Sequence, residues 1–271
     1  MRIALISLDQ VWLDKTANFN RCRELACEAL GHGCDLVVFP EMTLTGYALG
    51  EMASQAELLA DSVTLMWFAQ LAAELQQTII YGASLIESVS NSPRNQLCVA
   101  TPDGNSTPVY SKIHPFSFAG ENEVIEAGDQ LGVIQLNTLH IATSICYDLR
   151  FPELYSAQAN ACNAAVVIAN WPARRIAHWR ALLVARAIEN QMFMIGVNRI
   201  GEDGNQLMYE KSSMLIQPDG DVLEPLFSDS ELDVFEIDPA AAARYRTEFP
   251  TLSDKRYSLY QTIFEQINHA G

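Results

Sequence analysis

Apolar runs of strand length alternate with amphipathic helical segments along most of the chain, and this alternation constrains the fold most strongly. Residues 35–40 (DLVVFP) and 164–170 (AAVVIAN) are apolar almost throughout, which is typical of strands buried on both faces. Helical patterns separate such runs, as parallel crossovers require, whereas the neighbouring runs 132–136 and 140–146 indicate a hairpin. Parallel and antiparallel connections together predict mixed sheets covered by helices.

The same patterns place the individual elements. Strands are predicted at residues 2–8, 35–40, 78–86, 96–112, 132–136, 140–146, 164–170, 192–198, 212–218, 222–226 and 231–238. Helices are predicted at 18–30, 61–75, 152–161 and 173–191, with Asp61 as an N-cap and Pro152 at a first helical position. Asp103-Gly104 predicts a turn inside 96–112. With no Pro/Gly/Ser-rich linker and no internal repeat, residues 1–271 are expected to form one domain.

Composition excludes several classes of protein. The chain has 271 residues, of which 49% are hydrophobic, so it can bury a core without disulfides or a metal. A net charge of −16 disfavours nucleic acid and anionic membrane surfaces as partners. No apolar stretch approaches the ~20 residues of a membrane-spanning helix, and the amino terminus is typical of a strand instead of a signal peptide. Six scattered cysteines indicate reduced thiols and a cytoplasmic location.

Three reactive side chains follow apolar, strand-like runs. Glu41 comes after DLVVFP (35–40), Lys112 closes STPVYSK (106–112) and Cys146 comes after HIATSI (140–145). Strand ends at one edge of a sheet lie close together, and an acid, an amine and a thiol are the groups that nucleophilic attack on an acyl carbon needs. The sequence therefore indicates a site for covalent catalysis.

Each of these residues also has a structural interpretation. Most free cysteines are packing residues, but Cys146 lies on a strand–turn–helix path that exposes a nucleophile and aims backbone N–H groups at an oxyanion. Lys112 is either a solvated strand end or a fixed ammonium that lowers the pKa of the thiol and stabilises an oxyanion. Glu41 is either half of a structural ion pair or a general base, and it lies near Lys112 in both cases.

Three segments resemble the catalytic motifs of the nitrilase superfamily of carbon–nitrogen hydrolases: VVFPEMTLTGY (37–47), YSKIHPF (110–116) and CYDLRFPE (146–153). Segments 177–205 and 212–223 are similar to later parts of the same family. The resemblance implies an α/β fold, a four-layer αββα sandwich of mixed sheets. It also implies a homodimer or larger homo-oligomer, with residues 245–267 extending towards the partner.

The resemblance also implies roles. Cys146 is the nucleophile that forms a thioester, Glu41 the general base and Lys112 the cation that holds the oxyanion. Glu121, in GENEV (120–124), orients the lysine and lines the pocket, although a solvated surface carboxylate is the alternative. The backbone N–H of Tyr147 is the second oxyanion donor. No metal and no organic cofactor is implied, and the five histidines show no ligand spacing.

Segments 170–179 and 182–191 are most similar to the bacterial omega-amidases, which cleave the terminal amides of short 2-oxo acids such as 2-oxoglutaramate and 2-oxosuccinamate. A guanidinium clamps a substrate carboxylate with two hydrogen bonds, and cations at a helix start oppose the helix dipole. The residues expected to bind the substrate are Tyr147, Arg150, Arg174 and the aromatic walls Phe116 and Trp171, with Arg175 and Phe118 beside them.

Other functions stay open at this point. An N-carbamoyl amidohydrolase or an amidase for deaminated glutathione would use the same machinery, and a non-catalytic binding or scaffold protein would use the same fold. The chain has Glu210-Lys211 where the family commonly has glycine, and the loop HPFSFAGEN (114–122) is only loosely like that of omega-amidases. Both departures leave the acyl group of the substrate undetermined.

Overall fold

The computed structural model of the protein describes residues 1–88 and 92–268. The strands are β1 (Arg2–Ile6), β2 (Leu36–Val38), β3 (Glu57–Leu58), β4 (Thr78–Ile86), β5 (Arg94–Ala100), β6 (Ser106–Ser111), β7 (Val133–Leu136), β8 (Leu139–Ile145), β9 (Ala164–Ala169), β10 (Phe193–Asn198), β11 (Gly201–Glu202), β12 (Met208–Tyr209), β13 (Met214–Ile216), β14 (Phe227–Ser228) and β15 (Leu232–Glu236). The α-helices are α1 (Lys15–Gly31), α2 (Met52–Gln55), α3 (Val63–Leu75), α4 (Pro152–Gln158), α5 (Ile176–Asn190), α6 (Ala241–Glu248) and α7 (Tyr257–Asn268).

Within the described residues thirteen of these strands form two large mixed sheets, and β11 and β12 pair separately. The first sheet has the order β14-β15-β1-β2-β4-β5-β6, with β3 paired to β4, and the second has the order β13-β10-β9-β8-β7. In the first sheet β1, β2 and β4 are parallel, and in the second β8, β9 and β10 are parallel. Hairpin partners add antiparallel strands at both edges. The carboxyl ends of the parallel strands therefore lie at common edges, where polar residues can converge.

The two sheets pack face to face, and helices cover both outer faces. Leu36 and Val38 of β2 pack between the sheets, whereas Val37 packs on the other side with Leu25 of α1 and Phe68 of α3. On the far side of the second sheet, Trp179 and Leu183 of α5 pack against β9 and β10. Since both faces of the central strands are buried, their sequences are apolar throughout. The predicted four-layer αββα arrangement with mixed sheets is confirmed.

Local details differ from the sequence prediction at a few positions. The strand predicted at 222–226 is wrong, because Val222 makes only an isolated bridge to Ile216 and the next strand is β14. The N-cap of α3 is Ser62 instead of Asp61, since the Ser62 hydroxyl accepts the Leu65 N–H at 3.1 Å. Helix α1 begins at Lys15, one turn before the predicted start, because the Asp14 carboxylate caps the Ala17 N–H at 2.9 Å.

The carboxyl-terminal helix lies on the surface. Residues 257–266 are exposed, including Tyr260 and Phe264, which are 40% and 56% exposed. The partner contact expected for 245–267 stays a prediction. Across the described ranges, every helix is too short or too polar to cross a membrane.

Candidate active site

A cavity of about 490 Å³ opens where several strands end. Lys112 directly follows β6, Cys146 directly follows β8 and Asn170 directly follows β9, and all three line this cavity. Glu41 lies three residues beyond β2 and is completely buried behind them. The fold thus brings together the three reactive residues that the sequence predicted at strand ends.

Cys146 occupies a sharp turn between β8 and α4. Its φ of +47° is in the left-handed region, which a residue with a Cβ adopts only when its surroundings hold it there. The buried Asp148 carboxylate holds this turn, because Oδ2 accepts the Ile145 N–H at 3.0 Å and the Tyr110 hydroxyl at 2.8 Å. The predicted strand–turn–helix path is confirmed, and it presents the thiol to the cavity.

Each carboxylate oxygen of Glu41 has a hydrogen-bond donor. Oε1 accepts from Lys112 Nζ at 3.0 Å and Asn95 Nδ2 at 2.7 Å, and Oε2 accepts the Asn170 N–H at 2.9 Å. The Glu41 backbone lies so close to β4 that a Cβ on Gly82 would come within 2.9 Å of the Glu41 Cα. Only glycine fits that position without a shift, and this close approach fixes the carboxylate relative to the strands.

Lys112 is shared by two glutamates, and all three side chains have no solvent exposure. Its ammonium lies 3.0 Å from Glu41 Oε1 and 2.9 Å from Glu121 Oε2. Burial alone would lower the pKa of Lys112, but the charges of Glu121 and Glu41 outweigh it and raise that pKa well above the usual value. The lysine is therefore a permanent cation beside the cavity. Glu121 is buried here and is not the solvated surface carboxylate of the alternative interpretation.

Burial alone would raise the pKa of Glu121, but the Lys112 charge and hydrogen bonds from the Phe116 N–H and Asn95 lower it. The Phe116 N–H lies 2.6 Å from Glu121 Oε2, so this carboxylate also anchors the loop that carries one wall of the cavity. Glu121 thus fixes both Lys112 and the Phe116 wall.

The pKa of the Cys146 thiol is set by burial and by two opposing charges. Its pKa is raised well above the usual value, because the surrounding protein excludes water and the Glu41 carboxylate repels a thiolate. Lys112 acts in the opposite direction, as predicted, but it does not outweigh the other two effects. A thiol in this state needs a base to accept its proton during attack.

This raised pKa is open to direct titration. The ultraviolet absorbance of the Cys146 thiolate, taken as wild type minus Cys146→Ala, is expected to stay flat up to about pH 9, although an ordinary cysteine is half ionised near pH 8.5. Glu41→Gln removes the repelling charge and leaves Lys112, so the thiolate should then form at lower pH. A wild-type thiolate already formed at pH 8 would contradict this assignment.

The site also contains two asparagines, Asn170 and Asn95, which the sequence analysis did not single out. Asn170 gives its backbone N–H to Glu41 and accepts a weak contact from Cys146 Sγ, 3.9 Å from its carbonyl oxygen. Its position as the first polar residue after the buried run 164–169 was a usable signal. Asn95 donates to both Glu41 and Glu121. It is the second residue of β5, an ordinary strand, so the sequence offered no signal for it.

Three guanidiniums surround the mouth of the cavity. Arg150 stacks over Trp171 at 4.7 Å from the ring centroid, Arg175 stacks over Phe116 at 5.3 Å, and Arg174 is exposed beside them. Among the ion pairs of the described residues, none involves these three arginines. Burial and the charges of Arg174 and Arg150 lower the pKa of Arg175. An anion is the natural ligand for such a mouth.

The two acids that line the cavity do not neutralise these cations. Asp203 is engaged by its own loop, since its carboxylate accepts the Asn205 and Leu207 N–H groups and the Tyr209 hydroxyl at 2.8–2.9 Å. Glu51 is exposed at the rim. Tyr147 completes the wall next to Cys146, and its ring centroid lies 4.9 Å from that of Phe116. All the predicted binding residues therefore surround one cavity.

The described part of the chain has no group of three or more His, Cys, Asp or Glu side chains placed to hold a metal ion. The chemistry that the site offers is that of a thiol, two carboxylates and an ammonium.

Comparisons with known proteins agree with this geometry. The carbon-nitrogen hydrolase family model matches residues 2–247. The omega-amidase YafV of Escherichia coli K12 is 34% identical over 255 residues, which are 94% of this chain and 96% of that protein. The 2-oxoglutaramate amidase of Paenarthrobacter nicotinovorans is 31% identical over 237 residues, covering 83% of this chain and 80% of that protein.

Among solved structures, XC1258 from Xanthomonas campestris, a CN-hydrolase superfamily protein with an arsenic adduct in its active site, superposes with a TM-score of 0.86. It is 32% identical, and the match covers 94% of this chain and 97% of that one. The chain belongs to the carbon–nitrogen hydrolase family. The enzyme class that the three motifs predicted is thereby confirmed, as is the similarity to omega-amidases.

Proposed function

We propose that this protein is a cysteine-dependent amidase. It hydrolyses the terminal amide of a small carboxylate-bearing substrate, of the 2-oxoglutaramate or 2-oxosuccinamate type, to the acid and ammonia through a thioester. The observation that carries this proposal is the buried Glu41–Lys112–Glu121 cluster beside the thiol of Cys146. Relatives named omega-amidase and 2-oxoglutaramate amidase support the choice of substrate class.

The first half-reaction forms the acyl-enzyme. Cys146 Sγ attacks the amide carbon while Glu41 takes the thiol proton, so no free thiolate accumulates. Lys112 Nζ and the Tyr147 backbone N–H stabilise the oxyanion of the tetrahedral intermediate. When this intermediate collapses, the carbon–nitrogen bond breaks and Glu41 returns its proton to the nitrogen. Ammonia leaves, and a thioester joins the acyl group to Cys146.

The second half-reaction reverses these roles with water as the nucleophile. Glu41 takes a proton from water as the oxygen attacks the thioester carbon, and the same two donors hold the oxyanion. Collapse expels the sulfur, which regains its proton from Glu41, and the carboxylic acid leaves. The raised pKa of the Cys146 thiol suits this cycle, because the resting enzyme keeps a neutral thiol whose proton Glu41 accepts only during attack.

The mouth of the cavity selects the substrate. Among the described residues, Arg150, Arg174 and Arg175 have no acidic partner, and a planar guanidinium binds a carboxylate through two parallel hydrogen bonds. Stacking on Trp171 and Phe116 holds Arg150 and Arg175 in place, so binding costs less side-chain entropy than it would for free arginines. A short amide with a carboxylate at its far end fits this division into a reacting end and an anionic end.

Ammonia release from a panel of short amides tests the proposal. Turnover is expected with 2-oxoglutaramate and 2-oxosuccinamate and should disappear in Cys146→Ala. Release of carbon dioxide with ammonia from N-carbamoyl-β-alanine would instead favour a carbamoyl amidohydrolase, and preference for deaminated glutathione would favour a longer acyl group. Absence of Cys146-dependent turnover from the whole panel would contradict the amidase assignment and favour a binding role.

Arginine variants test whether the mouth of the cavity binds the carboxylate of the substrate. Arg150→Met and Arg175→Met are each expected to raise KM for 2-oxoglutaramate about 10–100-fold, the value of a hydrogen bond to a charged group. Hydrolysis of a neutral amide such as propionamide should change little. Arg180→Met is the matched control, because Arg180 lies on α5, the helix that begins directly after Arg175, but faces Glu210 at 3.8 Å. Equal effects on charged and neutral amides would contradict carboxylate binding.

A further inference from the structure

Asn95 lies between the two carboxylates that share Lys112. The side chain is completely buried, and Nδ2 lies 2.7 Å from Glu41 Oε1 and 3.1 Å from Glu121 Oε1. Lys112 Nζ contacts the same two oxygens at 3.0 and 3.1 Å. One ammonium and one amide therefore bridge the same pair of carboxylate oxygens.

The orientation of this amide follows from its surroundings. With Nδ2 towards the glutamates, Asn95 donates two hydrogen bonds, and Oδ1 has no partner among the described residues. The reverse orientation would place Oδ1 against two carboxylate oxygens, where every contact is repulsive. The structure thus leaves a buried acceptor unsatisfied in order to give both carboxylates a donor.

A count of charges explains why a neutral donor belongs here. Glu41 and Glu121 carry two negative charges against one positive charge on Lys112, and none of the three side chains reaches solvent. A buried excess of negative charge is costly, and it favours uptake of a proton by one carboxylate. A second cation would remove the excess but would bind Glu41 too tightly for it to act as a base. An amide N–H stabilises the ionised pair without adding charge.

The backbone of Asn95 reinforces this placement. Its carbonyl accepts the Lys112 N–H at 2.9 Å. Asn95 therefore fixes the backbone of Lys112 as well as donating to the two carboxylates. Asn95 does not line the cavity. Any effect of its side chain on the reaction therefore passes through Glu41, Glu121 and Lys112.

We infer that Asn95 is a positioning residue that holds Glu41 ionised and aimed as the base. This inference rests on the proposed amidase chemistry, in which Glu41 must be ionised to accept the thiol proton. Without the Asn95 donor, the crowded carboxylates take up a proton more readily. Glu41 then loses its function at a higher pH than in the wild type.

The test compares Asn95→Leu with Gln96→Leu. Leucine has nearly the shape of asparagine but no donor, whereas Gln96 is the next residue of β5 and bonds Ser111 instead of the carboxylates. Asn95→Leu should lower kcat about 10–100-fold, leave KM nearly unchanged, and move the acid limb of the kcat/KM profile up by about one pH unit. Gln96→Leu should leave that limb in place. A fall in kcat with an unmoved acid limb would overturn the inference.

A second readout needs no amide substrate. Alkylation of Cys146 by iodoacetamide forms a carbon–sulfur bond, releases iodide and passes the thiol proton to Glu41. In Asn95→Leu the acid limb of the alkylation rate against pH should therefore move to higher pH in the same way. Asn95→Asp, which keeps the size and replaces the donor with a third carboxylate, should move the limb at least as far. If the wild type releases no ammonia from any amide, the proposed function fails. The pH profile of Cys146 alkylation would still test the role of Asn95. An alkylation limb unmoved in both Asn95 variants overturns the inference.

Discussion

Cys146→Ala is expected to abolish amide hydrolysis, with kcat reduced by at least about 10⁴-fold, while the free energy of unfolding changes by no more than about 1 kcal/mol. Among the described residues, the other five cysteines lie outside the cavity, so none of them can form the acyl-enzyme in its place. Alanine keeps the Cβ that the left-handed turn already tolerates, so the local strain does not change. Ammonia release and chemical denaturation measure the two quantities separately.

Cys27→Ala provides the control, because Cys27 is an exposed thiol on α1. This variant should retain wild-type turnover. Acid quenching of the wild type during turnover should also trap an acyl group on the peptide that contains Cys146, detectable by mass spectrometry. Turnover by Cys146→Ala at the wild-type rate would contradict its assignment as the nucleophile.

Lys112→Met is expected to reduce kcat by about 10²–10³-fold or more, because the oxyanion loses its charged donor. The same change should destabilise the fold by about 3–5 kcal/mol, since Glu41 and Glu121 would stay buried without their cation. Arg23→Met breaks an ion pair with Glu74 whose members are 44% and 39% exposed, and it should cost far less stability because solvent screens the pair. Kinetics and denaturation of both variants test these values.

A double variant separates the two roles of Lys112. Adding Glu121→Gln to Lys112→Met removes one of the two unpaired carboxylates, so part of the lost stability should return, whereas kcat should not. An increase in KM alone for Lys112→Met would place the lysine in binding instead of chemistry. Recovery of kcat in the double variant would show that Lys112 acts only by balancing the charge of Glu121.

The sequence predicted the main parts of the site because each one lies next to a pattern that could be recognised. Glu41 and Lys112 follow strands of the first sheet and Cys146 follows a strand of the second, and the packing of the two sheets brings these strand ends together. Asn95 has no such pattern, since its role depends on lying opposite residues 54 positions earlier and 26 positions later in the chain. The net pKa of the thiol was not predictable either, because the sequence indicates that Lys112 is nearby but not how much water the fold excludes.

The boundaries of strands and helices also divide into those that local sequence predicts and those that depend on tertiary contacts. The hairpins were predictable from local turn chemistry, whereas the strand expected at 222–226 failed because pairing needs a partner at the right register and Val222 makes only one bridge. The choice between Asp61 and Ser62 as N-cap depended on which side chain reaches a free N–H group.

The sequence by itself predicted the layered α/β fold and the family, and it singled out a thiol, an acid and an amine as the candidate reactive groups. These follow from hydrophobic periodicity and short motifs, which are local properties of the chain. Only the tertiary structure decided that two glutamates share one lysine and that an asparagine joins them. It also decided that three arginines at the cavity mouth lack acidic partners within the described part of the chain. Those features depend on distances between residues far apart in sequence and on the exclusion of water, and both come into being only when the sheets pack.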